Sequence, residues 1–261
     1  MLFLIVSFLA STVGAICGIG GGIIIKPVLD MLHLETVTTI SFLSGCTVLS
    51  MTCYSVGRSV LAGERRVALR TGTPLAIGAA VGGLLGEQFF TYMRSLFVNQ
   101  NTVGAVQAVC LAVITLGTLV YTINKGRIHT KTVRSVPVCA AIGSALGIMS
   151  SFLGIGGGPI NLVVLFYFFS MDTKTAAANS LYIILFSQVA SVLSTVLTNS
   201  VPHFPLATLL LMAAGGIGGG MVGRALNRRI DEKTVDRLFI ALMAVIIGIS
   251  IYNGWQYAAF S

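Results

Sequence analysis

Charge is what this sequence has least of. Only 9% of its residues are Asp, Glu, Lys or Arg, against about 25% in an ordinary soluble domain, while 55% are hydrophobic. Mean hydropathy is +0.93. These values exclude a soluble globular domain and predict an all-α integral membrane protein. Alternating apolar segments of about ten residues, which would mark a membrane β-barrel, are absent. The five cysteines (Cys17, Cys46, Cys53, Cys110 and Cys139) stand singly, without a CxxC. They read as small packed thiols, and no His/Cys cluster has metal-ligand spacing, so no metal is expected. A nucleotide-binding motif is also missing, so no cofactor is expected and energy must come from an ion gradient or a partner. The first residues, Met1 to Leu4, carry no Lys or Arg. Without a basic n-region they are expected to belong to the mature protein rather than to a signal peptide.

Long apolar runs dominate what remains. Charge-free stretches of roughly the 20 residues that cross a bilayer core cover 37–57, 102–123, 175–199, 204–223 and 238–257. A sixth, 71–93, is interrupted only by Glu87. The net charge of +8 lies in short loops between these runs, which argues for membrane topology and against nucleic acid.

One five-residue phrase occurs twice: Gly18-Ile19-Gly20-Gly21-Gly22 and Gly154-Ile155-Gly156-Gly157-Gly158. Each copy sits inside an apolar stretch. Adjacent glycines cost about 1 kcal/mol each in a helix interior. They also bare backbone groups that lipid cannot satisfy, so the broken chain must be surrounded by protein or reached by water. A dinucleotide fingerprint is excluded, because no strand–turn–helix unit surrounds either copy. The likeness extends further. Thr36 to Phe42 lines up with Thr175 to Leu181, and Gly78, Gly82, Gly83 and Gly86 match Gly215, Gly219, Gly220 and Gly223. The chain therefore reads as a duplication, a common plan for secondary transporters.

Loop charge decides how the halves are arranged. If each glycine-broken segment were one ordinary crossing, the sixteen Lys and Arg would divide evenly between the two sides. If each dips in and returns, all except Lys26 and Arg94 fall on one side, as the positive-inside rule requires. Lengths agree. Residues 2–17 reach about 24 Å and 23–34 about 18 Å as helices, short of a ~30 Å core. The predicted architecture is two inverted repeats, each a glycine-broken re-entrant hairpin plus three transmembrane helices. The first repeat is 1–124 (hairpin 2–34, helices 37–57, 71–93 and 102–123) and 125–135 is a cytoplasmic linker. The second is 136–261 (hairpin 136–171, helices 175–199, 204–223 and 238–257). Both termini are expected outside.

In this arrangement the two glycine tips meet near the midplane. Their backbone N–H groups, at the start of the return helices, form a candidate anion site. The predicted substrate-binding residues are Gly18, Gly20, Gly21, Gly22, Gly154, Gly156, Gly157 and Gly158. Asn161, three residues past the second phrase, and Ser41, Asn179, Ser180 and Gln188 join them from a hydroxyl-rich face on the second long helix of each half. That face also carries Ser44, Thr52 and Ser55, and Ser187, Ser191 and Ser194, which equally suit helix-to-helix hydrogen bonding. Lys26, a lone cation in a return helix, either attracts the anion or snorkels outward. Glu87 suits a cation partner, a proton or an interfacial place. Asp30, Glu35 and Asp172 are expected to be solvated or capping. His33, His129 and His203 are expected in exposed loops. The third-helix glycines, spaced by four, predict close helix crossings.

The stretch Gly14-Ala15-Ile16-Cys17 before the first phrase, and Pro27 after it, resemble the sulfite exporter TauE/SafE family. So do Gly147 through Gly158-Pro159 and the segment Ala176-Ala177-Ala178-Asn179-Ser180-Leu181. The resemblance covers essentially the whole chain. Lys26 in a return helix and Val163 in the place equivalent to Pro27 depart from its pattern. The family implies a multi-pass permease of the cytoplasmic membrane. Its substrates would be small sulfur-containing anions such as sulfite, thiosulfate, sulfonates or organosulfonates, with protons or the membrane potential involved. Alternatives of other classes are a passive anion channel using the same site and a membrane-embedded sulfur enzyme with Cys17 as nucleophile. No His or carboxylate neighbours Cys17 in sequence to activate it. The expected partners are the anion and the lipid bilayer, with no nucleic acid; oligomeric state is not legible.

Overall fold

The computed structural model describes residues 1–32, 34–63, 67–96, 100–153, 155 and 157–259, with side chains except at 93–96, 100–101 and 258–259. His33, Gly154, Gly156 and the Arg94 side chain, all named above, lie outside that description, as do Arg65 and Arg66. The described residues form ten α-helices. In order they are α1 (Leu2–Cys17), α2 (Gly22–Met31), α3 (Val37–Leu61), α4 (Leu69–Leu96), α5 (Gln100–Asn124), α6 (Val136–Leu153), α7 (Pro159–Phe169), α8 (Thr173–Leu197), α9 (Leu206–Arg229) and α10 (Glu232–Ala259).

Six of these are long and apolar enough to cross a membrane: α3, α5, α6, α8, α9 and α10. They are not the six runs read from the sequence. α6, assigned above to a hairpin, qualifies with 18 residues, whereas α4 does not. α4 is nonetheless 28 residues long, about 42 Å at 1.5 Å per residue, and carries Arg70, Glu87 and Arg94 within that length.

Local chemistry sets the helix limits. α1 stops where Gly18 enters the left-handed region at φ 76°, and the Gly18 and Ile19 amides both donate back to Gly14 O. α3 begins at Thr36, whose hydroxyl accepts from the Thr39 amide at 3.2 Å. α8 begins at Asp172, whose carboxylate accepts from the Thr175 amide at 2.8 Å. Both are N-caps 136 residues apart. The structural register of the repeat is therefore Thr36 on Asp172, three residues from the Thr36–Thr175 match read in the sequence. A shift of three keeps nearly the same helix face, so the polar pattern alone could not separate the two registers.

Glycine contacts fix how the helices run. A Cβ on Gly78, Gly82 or Gly86 of α4 would fall 2.0–2.6 Å from the carbonyl oxygens of Ala140, Ser144 and Ile148 on α6. On α9, Gly215, Gly219 and Gly223 stand likewise 2.3–2.8 Å from the carbonyls of Leu4, Phe8 and Thr12 on α1. These are the predicted close crossings. Numbers rise together in both pairs, so α4 runs parallel to α6, and α9 to α1. Gly72 near Asn179 and Gly83 near Ser187 make α4 parallel to α8, while Gly216 near Thr47 and Gly220 near Met51 make α9 parallel to α3. Gly104 near Tyr257, with Gly254 near Ala108, makes α5 antiparallel to α10.

Both broken segments fold back on themselves. Ile25 and Leu29 of α2 pack in one cluster with Ala10, Val6 and Phe3 of α1. In the second half, the amides of Lys131 and Val133, just before α6, donate to Tyr167 O and Phe168 O at the end of α7 at 2.7 and 2.9 Å. α7 thus ends where α6 begins. With these directions, Arg58, Arg70, the 125–134 linker, Lys174 and the Arg224–Arg237 segment all lie at one end of the bundle.

Candidate functional site

The two hairpin tips touch. A Cβ on Gly22 would meet Ile155 O at 2.0 Å, and one on Gly158 would meet Ile155 Cδ1 at 3.2 Å. Gly20 at φ 73° and Gly157 at φ 130° hold backbone that an L side chain rarely adopts. A Cβ on Gly21 would lie 2.9 Å from Ser11 Oγ. Close packing and positive φ thus account for most of the described glycines of the phrases, more than their spacing alone indicated. The isoleucines of the phrases, Ile19 and Ile155, turn inward. With Cys17, Ile23 and Ile183 they form a fully buried apolar plug.

The ends of the broken helices are capped from elsewhere in the chain. Asn227 Nδ2 donates to Ile16 O at 2.6 Å, near the end of α1. Gln107 Nε2 donates to Phe152 O at 2.6 Å, and Lys26 Nζ donates to Leu153 O at 2.9 Å and to Gln107 Oε1 at 2.5 Å, at the end of α6. These carbonyls are orphans of helix termination, and in an apolar surround each needs a donor. Lys26 is therefore not snorkelled, and it lines a small cavity with Pro27, Asp30, Gln107 and Asn253. It is buried and spent on the opposite hairpin. Asp30, one turn along α2, is buried too, which corrects its solvated reading.

Two clefts approach the tips from opposite ends. The cleft at the basic end is lined by Ala15, Ser55, Val56, Ser59, Lys174, Ala177, Leu181, Arg224, Asn227 and Arg228, with a volume of about 50 Å³. The cleft at the other end, about 80 Å³, is lined by Thr38, Ser41, Phe42, Gly45, Glu87, Phe90, Thr91, Ser150, Ser151, Gln188, Ser191 and Thr195. No described residue lines both.

The lining positions of the two clefts match at constant sequence offsets. An offset of 136 carries Thr38, Ser41 and Gly45 onto Lys174, Ala177 and Leu181. The same offset carries Ser55 and Ser59 onto Ser191 and Thr195. An offset of 137 carries Glu87, Phe90 and Thr91 onto Arg224, Asn227 and Arg228. Their polar chemistry is opposite. Arg224 Nη1 donates to Ser55 O at 2.6 Å and to Ser59 Oγ at 2.5 Å. Glu87 accepts from Ser191 Oγ at Oε2 and from Thr195 Oγ1 at Oε1, the latter at 2.6 Å.

Of the candidate site residues, Ser41 and Gln188 line the Glu87 cleft. Asn161 and Ser180 are buried, and Asn161 Oδ1 and Ser180 Oγ have no hydrogen-bond partner among the described residues, as is true of the Ser41, Ser44 and Ser187 hydroxyls. Asn179 stands apart. Its Oδ1 accepts from the Ala68 amide at 3.0 Å and its Nδ2 donates to Thr175 O at 2.8 Å, pinning the start of α4. Cys17 is buried in the apolar plug and lines neither cleft. Sequence reasoning missed the clefts' charge asymmetry, reading Arg224 and Arg228 as topological charge and leaving Glu87 between a cation partner, a proton and an interfacial place. The offset that pairs the third-helix glycines also pairs Glu87 with Arg224, and that was the available signal.

Ten helices with paired broken hairpins between opposed clefts define the class, a multi-pass membrane transporter. The chain belongs to the sulfite exporter TauE/SafE family, whose match runs over residues 3–251. Among curated relatives, it is 26% identical over 280 residues to the probable membrane transporter protein YunE of Bacillus subtilis (strain 168), covering 97% of this chain and 98% of that one. It is 30% identical over 112 residues to the probable membrane transporter protein MamO of Paramagnetospirillum magneticum, covering 41% of this chain and 18% of that protein. No solved structure matches the chain.

Proposed function

We propose that the chain is a secondary transporter of the cytoplasmic membrane that moves small sulfur-containing anions, such as sulfite, thiosulfate, a sulfonate or an organosulfonate, by alternating access. The observation that supports this reading best is a pair of clefts at opposite ends of the bundle, matched at constant sequence offsets, that share no described lining residue. A permanently open channel would need a continuous wet path where Ile19, Ile23 and Ile155 make an apolar plug. An inverted repeat with the basic end in the cytoplasm fits the parallel α3–α9 and α4–α8 pairs, the antiparallel α5–α10 pair and the two closed hairpins.

In this reading the anion sits at the tips, on N–H groups of the glycine phrases at the starts of α2 and α7. Ser41, Gln188, Asn161 and Ser180 supply side-chain donors. Lys174, Arg224 and Arg228 draw anions into the cytoplasmic cleft. Transport follows as one repeat rocks against the other about the plug. Protons or the membrane potential drive net movement.

Purified protein in proteoliposomes tests this with sulfite, thiosulfate and methanesulfonate. Saturable uptake of at least one, competed by the others, is expected. Flux that rises linearly with concentration, or no flux of any of them, refutes the reading. For topology, a cysteine in place of Arg228 should react from the cytoplasmic face; labelling from outside contradicts the inverted arrangement.

A further inference from the structure

The repeat places the same apparatus at both ends of the molecule, so any difference between the two clefts marks what direction requires. Three positions differ most. Lys174, Arg224 and Arg228 in one cleft correspond to Thr38, Glu87 and Thr91 in the other. The outer cleft therefore lacks the attracting charges and holds a carboxylate where its twin holds a guanidinium.

Glu87 is set up as a carboxylate in a narrow polar space. Ser191 and Thr195, on α8, direct hydroxyls at its two oxygens, and these are the positions whose twins receive Arg224. Among the described residues no cation lies within ion-pair reach of it. The faces around it are Thr38, Ser41 and Phe42 from α3, Ser150 and Ser151 from α6, and Gln188, Ser191 and Thr195 from α8. None of these titrates. Among the described residues, the titratable groups next to the cleft lining in sequence are Tyr92, beside Thr91 on α4, and His203, exposed and beside Pro202, with Glu35 a turn before Thr38; none of them lines the cleft. A structural carboxylate in a membrane protein is normally paired with a cation, and among the described residues this one is met by hydroxyls and open space.

We propose that Glu87 is the coupling-proton site of the transporter. Its carboxylate takes a proton from water in the outer cleft before an anion can occupy that cleft, and gives it back when the anion leaves. The inference rests on the transporter reading above. The physical reason is that an anion and an ionised carboxylate in a cavity of about 80 Å³ each disfavour the charged form of the other. Protonated Glu87 removes the repulsion and adds an O–H donor. Anion and proton then travel in the same direction, and the proton passes between water and a carboxylate oxygen with no other bond changed.

The test measures thiosulfate uptake into proteoliposomes at fixed internal pH while external pH is varied from about 5 to 8. Thiosulfate keeps its charge over that range, so a pH effect belongs to the protein. Wild-type uptake is expected to rise several-fold as external pH falls. Glu87→Gln should flatten the profile whatever its absolute rate, and His203→Gln should keep the rise. Ser191→Ala and Thr195→Val strip the hydroxyls from the carboxylate, so each should change the external-pH profile. These two variants carry the test if Glu87→Gln fails to fold. A Glu87→Gln profile like wild type, a flat wild-type profile, or loss of the rise in His203→Gln overturns the proposal and leaves the transporter reading standing. Absence of wild-type uptake for every sulfur anion instead refutes the transporter reading and this proposal with it.

Discussion

Gly22 and Gly158 occupy equivalent places at the two hairpin tips, yet the structure gives them very different room. A Cβ on Gly22 would lie 2.0 Å from Ile155 O and 2.8 Å from Ile155 C, both rigid backbone atoms. Real Cβ contacts essentially never fall under 3.0 Å, so Gly22→Ala must part the tips by about 1 Å or distort one of them. Overpacking of this kind costs about 1–3 kcal/mol. Gly158 has an extended φ of −168° and a nearest neighbour, Ile155 Cδ1, at 3.2 Å on a movable side-chain end, so Gly158→Ala should cost under about 1 kcal/mol. Thermal denaturation of the purified protein in detergent reads the difference. At roughly 2–4 °C per kcal/mol for a chain of this size, Gly22→Ala should melt about 2–12 °C below wild type, with Gly158→Ala near wild type. Uptake should fall with Gly22→Ala as well, because the separated tips no longer close the plug. Equal melting of the two variants, or a larger loss for Gly158→Ala, refutes the tip contact.

The capping role of Lys26 predicts that Lys26→Met leaves Leu153 O and Gln107 Oε1 without their buried donor. A loss of about 1–3 kcal/mol is expected, read as a lower melting temperature; an unchanged melt contradicts the cap. Gly82→Ala and Gly219→Ala push a Cβ to 2.0 and 2.4 Å from the Ser144 and Phe8 carbonyls and should each destabilise by about 1–3 kcal/mol. Gly117→Ala and Gly248→Ala meet nothing within 4 Å and should instead stabilise by up to about 1 kcal/mol through helix propensity; the reverse order in a melting series would sink the crossing assignment. Arg224→Gln removes charge from the basic cleft, so uptake from that side should weaken by about tenfold at low salt and lose part of its ionic-strength dependence. A salt profile identical to wild type would show that the guanidinium does not attract the substrate.

What was legible in the sequence is what glycine reports locally. The two broken phrases and the four-residue glycine rows are direct statements about backbone approach, and each row meets its carbonyl partners at the expected spacing. The loop charges led to the expectation that each broken segment returns, and in the second half the Lys131 amide donating to Tyr167 O puts the chain before α6 beside the end of α7. Other features needed distances between residues far apart in the chain. Lys26 meets the end of α6 across 127 positions, and Asn179 meets Ala68 across 111. Neither residue type carries a sign of such a partner. The register of α8 was also hidden, since a three-residue slip leaves a helix face nearly unchanged. Glu87 was the subtlest case: the offset of the third-helix glycines pairs it with Arg224, but the partners that set the two apart, Ser191 and Thr195 against Ser55 and Ser59, lie on another helix in each half.

Alternating access is tested most directly by counterflow. Proteoliposomes loaded with unlabelled thiosulfate and diluted into a trace of labelled thiosulfate should take up label faster than empty ones, and transiently above equilibrium, because a loaded carrier returns its site from the far side. A channel through the same tips would equilibrate the label without overshoot and without stimulation from the loaded side, and that result would contradict the account.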